Sequence, residues 1–205
     1  MNYTKQQSEL MFDLANKTLQ QTLKGVDRES IPYIQTFSGK KFRHMWPLSE
    51  DVDLNDIARG LSLLCRFGGQ IRTFYSIAQH AVLVSQYCDP NDALEGLHHD
   101  DSEGLGCVDI PRPLKRAPGM EVYRMYERLT MKAIEKKFNL RPEPESVKLA
   151  DSRMLVTEAR DLFQQKCEWS DDFGQPFKEK IIPWAPEEAR ERYLDRHFEL
   201  TKGRK

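Results

Sequence analysis

The segment Leu97-His98-His99-Asp100-Asp101-Ser102-Glu103 constrains this chain more than any other stretch. It sets imidazoles and carboxylates side by side in a run that reads as one helix. Residues three and four apart share a helix face, so on such a helix Glu103 sits over both His99 and Asp100. Two further ligands would close a metal site, and the sequence offers His80 in an earlier helical segment and Asp151 in a later one. An H…HD…D pattern drawn from three helices is what an interior site of a helical bundle requires. Two imidazoles and two carboxylates suit zinc, manganese, iron or cobalt better than calcium, which prefers oxygen shells. A helix turns His98 about 100° away from His99, so His98 reads as a supporting or packing residue. His44 and His197 lie outside the pattern.

The rest of the chain reads as mostly helical. Leu10, Met11, Leu14, Leu19 and Leu23 recur at helical spacing and stop at Gly25. Residues 32–37 and 41–46 flank Ser38-Gly39-Lys40, which predicts a small N-terminal β-hairpin and the only sheet. Asp53 can cap a helix carrying Leu54, Ile57, Ala58, Leu61 and Leu64 that ends at Gly68-Gly69. Ser76 and Gln79 have the spacing of a capping box at the start of the His80 helix. Asn91 or Asp92 opens the HHDDSE helix, which Gly104, Gly106 and 109–113 break. Helices are expected over 121–138, over 145–165 with Asp151 inside it, and from Pro186 through Arg196. The expectation is an all-α fold over 1–205, a single helical-bundle domain with one small hairpin.

Composition narrows the function classes. With 31 basic and 32 acidic residues the net charge is -1, so no global field draws nucleic acid or anionic lipid to the chain. No apolar run approaches a membrane span, and the polar Met1–Gln7 start lacks a secretory core. Cys65, Cys88, Cys107 and Cys167 are widely spaced and are expected to be reduced, which fits a cytoplasmic protein.

The ordered set His80, His99-Asp100 and Asp151 resembles the metal-dependent phosphohydrolases of the HD-domain family. The resemblance is to small bacterial and phage members that act on deoxynucleotides: 5′-deoxynucleotidases and dATP triphosphohydrolases. It runs over 38–163, leaving 164–205 as a C-terminal extension, and several strings carry it: Ile57-Ala58-Arg59-Gly60-Leu61, Cys65-Arg66-Phe67-Gly68-Gly69, Arg72–His80, Asp109–Lys115 and Val147–Asp151. It implies that His80, His99, Asp100 and Asp151 hold a divalent zinc, manganese, cobalt or magnesium ion, with a second ion able to travel with the phosphates. It implies that Glu103 handles the proton of the attacking water and that Asp109 serves the leaving group. Arg66 and Phe67, at the flexible Gly68, would then meet phosphate and nucleoside. Arg112 and Lys115 would extend the phosphate site, since guanidinium forks and ammonium groups both bind phosphate. Arg72 belongs to the same basic set, and Trp46 is a second aromatic able to stack a base.

The resemblance therefore implies a phosphohydrolase of deoxynucleotides, foremost a purine dNTP triphosphohydrolase releasing triphosphate. A 5′-deoxynucleotidase is the alternative. It also implies a homo-oligomer, dimer or hexamer, acting in the cytoplasm, or in the host cytoplasm if phage-encoded. Two departures motivate a catalytically weak nucleotide-binding regulator as a rival. Glu103 and Asp109 stand one residue further apart than in the family, and Phe67 replaces a Trp. A di-iron oxygenase is the weakest reading, because His98 is the one spare histidine nearby.

Overall fold

The computed structural model describes residues 5–203. Helix α1 (Lys5–Thr22) is followed by strands β1 (Ile34–Gln35) and β2 (Lys41–Phe42). These pair antiparallel with Ile34 opposite Phe42, and they form the one sheet among the described residues. The hairpin is shorter than its sequence pattern, and its turn is tied down from outside. Asp56 accepts from both the Ser38 amide and hydroxyl at 2.7 Å, which fastens the Gly39 turn to the next helix.

Eight further helical segments come after the hairpin: α2 (Leu54–Leu63), α3 (Ile77–Tyr87), α4 (Ala93–His98), α5 (Asp101–Gly104), α6 (Arg112–Lys115), α7 (Glu121–Phe138), α8 (Glu145–Leu162) and α9 (Pro186–Thr201). The protein is thus mostly helical with a small hairpin, as the sequence predicts. No helix among the described residues is long and apolar enough to cross a membrane. All four cysteines are free thiols.

Helix α3 is the centre of the bundle, because its sequence is apolar on nearly every side. Ile77 through Val82 are all buried, and α2, α4, α8 and α9 pack around them. The main core joins Ile57 and Leu61 of α2, Ile77 and Ala81 of α3, Leu97 of α4, Ile134 of α7 and Tyr193 of α9. A second cluster, with Val84, Val147, Ala150 and Met154, seals α3 against α8. His80 is carried on this central helix and is fully buried.

Both cap predictions hold at the N-termini. The Asp53 carboxylate accepts from the Asn55 amide at 2.9 Å, and Ser76 Oγ accepts from the Gln79 amide at 3.1 Å. Only half of the capping box forms, however. The Gln79 side chain instead donates to the Ile182 carbonyl and accepts from the Trp184 amide, both at 2.8 Å. It thereby fastens the segment leading into α9 onto α3.

Two predicted helices are broken. The helix expected to reach Gly69 stops at Leu63, where Leu64 turns extended and Cys65 bridges Ser76 antiparallel. Arg66–Gly69 then form a tight turn with φ of 58° at both Phe67 and Gly68. The HHDDSE run is likewise two short helices, with His99 and Asp100 in the break and Asp100 at φ -108°. The Gly96 carbonyl, which a continuing helix would give to the Asp100 amide, accepts from the His99 side chain at 2.9 Å.

A backbone contact fixes where α5 lies beyond this break. A Cβ at Gly60 would stand 2.1 Å from the Gly104 carbonyl oxygen, so α2 and α5 touch main chain to main chain. This contact places α5, and with it Glu103, against the core. Gly60→Ala is expected to lower stability by about 1–3 kcal/mol, the usual effect of overpacking. Urea unfolding measures it; an unchanged midpoint would mean that the two helices separate freely.

Candidate metal centre

His80 from α3, His99 from the α4–α5 break and Asp151 from α8 converge into a group able to hold a metal ion. His80 Nε2 lies 3.2 Å from His99 Nε2 and 3.2 Å from Asp151 Oδ1. Asp100 Oδ2 joins them, 3.3 Å from His99 Nε2 and 3.6 Å from His80 Nε2. Four donors bound at about 2.1 Å to one ion stand roughly 3 to 3.5 Å apart, so these side chains fit a divalent cation of the first transition series.

Both imidazoles are pre-oriented for that task. His80 Nδ1 is 2.7 Å from Glu158 Oε1, and His99 Nδ1 donates to the Gly96 carbonyl. With each Nδ1 occupied, each Nε2 is left to face the centre, the usual arrangement around a bound metal. Glu158 also binds Arg66, whose Nε and Nη2 reach Glu158 Oε2 at 3.3 and 3.1 Å. Arg66 Nη1 is 3.5 Å from Asp100 Oδ2, so one buried guanidinium links the two carboxylates.

The charges of the centre favour a cation. Burial disfavours ionised Asp100, but His99, His80 and Arg66 hold its carboxyl well below the usual range. Asp151, opposed by burial and helped by His80, is lowered too, as is Glu158 beside Arg66. Three carboxylates against one guanidinium leave two uncompensated negative charges. Burial resists protonation of His99, yet the adjacent Asp100 and Asp151 lift its imidazole to about 10. Against burial and the Arg66 charge, Glu158 and Asp151 raise His80 as well. Both imidazoles are shifted toward the protonated form because the centre lacks positive charge, which a divalent ion supplies.

Glu103 behaves in the opposite way. Burial, then repulsion from Asp100 and Asp109, pushes its pKa well above the normal carboxylate value. Its Oε2 is buried with no hydrogen-bond partner among the described residues, while Lys115 Nζ lies 3.8 Å from Oε1. A buried acid with a raised pKa beside donors able to hold a metal is equipped for proton transfer. Asp109 stands across the turn, its Oδ2 accepting from the Phe67 amide at 3.2 Å. Phe67, held in the left-handed region by that bond, packs edge-to-face on Phe163 at 5.0 Å. A Cβ at Gly68 would meet nothing within 4 Å among the described residues, leaving that face of the turn open to a ligand.

Several predicted contacts are redirected. Lys115 Nζ is taken by Glu127 at 2.7 Å, and it lies on the short helix α6 with Arg112 instead of in a loop. Arg112 places its guanidinium over the Phe173 ring, 5.5 Å from the centroid. Arg72 Nη2 donates to the Asp161 carbonyl at 2.5 Å, capping the end of α8 instead of facing the centre. Trp46 lines a separate cavity of about 560 Å³ between α1, the 45–49 segment and α7, among whose lining residues none is a metal-ligand candidate.

The remaining histidines are structural. His98 Nδ1 donates to Asp101 Oδ2 at 2.5 Å, the Tyr193 hydroxyl donates to Asp101 Oδ1, and His197 Nδ1 is 2.8 Å from His98 Nε2. This buried network ties α9 to the residues flanking His99 and Asp100. His44 Nε2 donates to the Leu105 carbonyl at 2.8 Å. Sequence reasoning misses Glu158 and this network. The one signal for Glu158 is its place two turns after Asp151 on the same helix face.

Glu158→Gln should weaken binding of manganese or zinc about 10- to 100-fold, as loss of a carboxylate behind a histidine ligand does. Calorimetric titration of the folded variant measures this, and wild-type affinity would remove Glu158 from its role. Because the metal must displace the proton of His99, its affinity should rise with pH up to the value of about 10 for that imidazole. Titration at pH 7 in buffers of different ionisation enthalpy should show about one proton released per ion from His99; zero release would contradict this charge balance.

No family model matches the chain. It is 41% identical over 177 residues to the uncharacterized protein YfdR of Escherichia coli K12, a match covering 84% of this chain and 98% of YfdR. An uncharacterized protein of Rhodobacter capsulatus is 29% identical over 186 residues, covering 81% of this chain and 94% of that protein. At the first of these identities, over almost the whole length of YfdR, the chain belongs to the YfdR family.

Proposed function

We propose that this protein is an HD-type metal-dependent phosphohydrolase of deoxynucleotides, foremost a dATP or purine dNTP triphosphohydrolase. The observation that carries this reading is the coincidence of the His80, His99, Asp100 and Asp151 donors with a buried Glu103 and a buried Arg66. A divalent cation held there supplies positive charge that polarises a phosphoryl oxygen and acidifies water.

The side chains then divide the remaining work. Arg66, gripped by Glu158 along one edge, turns Nη1 toward Asp100 and offers it to a phosphate oxygen. Glu103, beside Asp100, holds or moves the proton of the attacking water. Water adds to the α-phosphorus, the bond from phosphorus to O5′ breaks, and O5′ leaves with a proton as the nucleoside hydroxyl. Asp109, across the turn, serves that leaving oxygen. Under this reading the protein works in the cytoplasm as a homo-oligomer on free nucleotide, with manganese, cobalt, zinc or magnesium.

One observation favours a 5′-deoxynucleotidase as the second reading. Lys115 is paired with Glu127 and Arg112 lies on Phe173, so fewer cations remain for a long phosphate chain. Both readings break the same bond, and the products separate them. Incubation of the metal-loaded protein with each dNTP and dNMP should give triphosphate and deoxynucleoside from dATP. Inorganic phosphate from monophosphates alone would install the nucleotidase reading. Nucleotide binding without turnover would leave a binding regulator. Glu103→Gln should retain the metal and lose about 10²- to 10⁴-fold in kcat; wild-type turnover would exclude Glu103 as the proton carrier.

A further inference from the structure

The Arg66–Gly69 turn has the metal centre on one side and a file of aromatic rings on the other. Phe67 meets Phe163 at 5.0 Å, Phe163 meets Trp169 at 6.1 Å, and Trp169 meets Phe173 at 6.2 Å, all edge to face. The Arg112 guanidinium lies over Phe173, and three residues before it Asp109 accepts from the Phe67 amide. The contacts therefore form a closed circuit that begins and ends at Phe67. Three segments distant in sequence build it: 66–69, 109–112 and 163–173. Trp169 is 38% exposed, so part of its indole is accessible to a ligand.

We propose that Trp169, Phe173 and Arg112 form a subsite that takes the planar base of the nucleotide whose phosphate lies at Arg66. This rests on the phosphohydrolase reading for the identity of the ligand, and deepens it by placing the base. A nucleotide with its phosphate at Arg66 and the metal donors would cross Phe67, whose ring lies 5.2 Å from the Arg66 guanidinium, to bring its base to Trp169 and Phe173. Aromatic faces bind any base by stacking, and an arginine adds a planar cation able to stack or to donate to purine edge atoms. The segment carrying Trp169 and Phe173 (a short 3-10 helix, Glu168–Asp172, and the residue after it) lies beyond the part of the chain that carries the metal donors. Preference for a particular base is then decided by a different segment from the one that decides the chemistry.

The test uses the full-length metal-loaded protein. Trp169→Ala should raise KM for the deoxynucleotide roughly tenfold to a hundredfold with kcat little changed, the effect of losing one base-stacking partner. Activity on 2-deoxyribose 5-phosphate, which has the sugar and phosphate without a base, should be unaffected. An equal loss on both substrates would make Trp169 a structural prop and overturn the subsite. A second measurement does not depend on turnover: deoxyadenosine alone should quench the tryptophan emission of the wild-type protein, and Trp169→Phe, which keeps the packing, should abolish that quenching. Quenching that survives Trp169→Phe overturns the subsite even if hydrolysis is robust. Quenching that needs Trp169 in a protein without phosphohydrolase activity sustains the subsite and sinks the proposed reaction.

Discussion

The Glu158 carboxylate, fully buried between His80 and Arg66, is the contact on which the rest of the centre depends. One oxygen fixes the tautomer and tilt of His80, and the other holds the guanidinium that reaches Asp100. A charge buried so deeply is tolerable only when paired, and removing one partner of such a pair costs about 3–5 kcal/mol. Glu158 therefore couples the folding of α8 onto α3 to the construction of the donor set. The surplus of negative charge that remains is balanced by protons on the imidazoles or by a divalent cation, so metal affinity and proton uptake are two expressions of one imbalance.

Around that contact the helices are arranged to hold short, non-helical segments still. The His99–Asp100 break projects two neighbouring residues into one site, which a regular helix would splay about 100° apart. The break is bracketed on both sides. The Gly60–Gly104 approach presses α5 onto α2, and the network of His98, Asp101, Tyr193 and His197 anchors the flanks to α9. The left-handed turn at Phe67 and Gly68 is a second such place, held by Asp109. The left-handed conformation of Phe67 costs of order 1–3 kcal/mol and persists because the surroundings over-determine it.

The fate of the cationic residues separates geometry from sequence reading. Arg66, Arg72, Arg112 and Lys115 all carry the charge a phosphate site needs, yet only Arg66 reaches the metal donors. Arg72 caps α8, Lys115 pairs with Glu127 and Arg112 lies on an aromatic ring. The chemical type of a side chain does not reveal which of several available partners it will find, because that depends on distances across the fold.

The amino-acid sequence by itself determined the helical character, the hairpin, the caps at Asp53 and Ser76 and the set His80, His99, Asp100 and Asp151. These were legible because periodicity and capping are local, and because metal donors belong to few residue types. Only the tertiary structure decided that Glu158 stands behind His80, that Gln79 leaves its capping box to fasten the 182–184 segment, and that the HHDDSE run breaks at His99 and Asp100. It likewise brought Trp169 and Phe173 alongside Phe67 from about a hundred residues away. Each of these outcomes is a competition between a local interaction and one made across the bundle. Sequence spacing describes the first alone, and burial in a close-packed core settles which one wins.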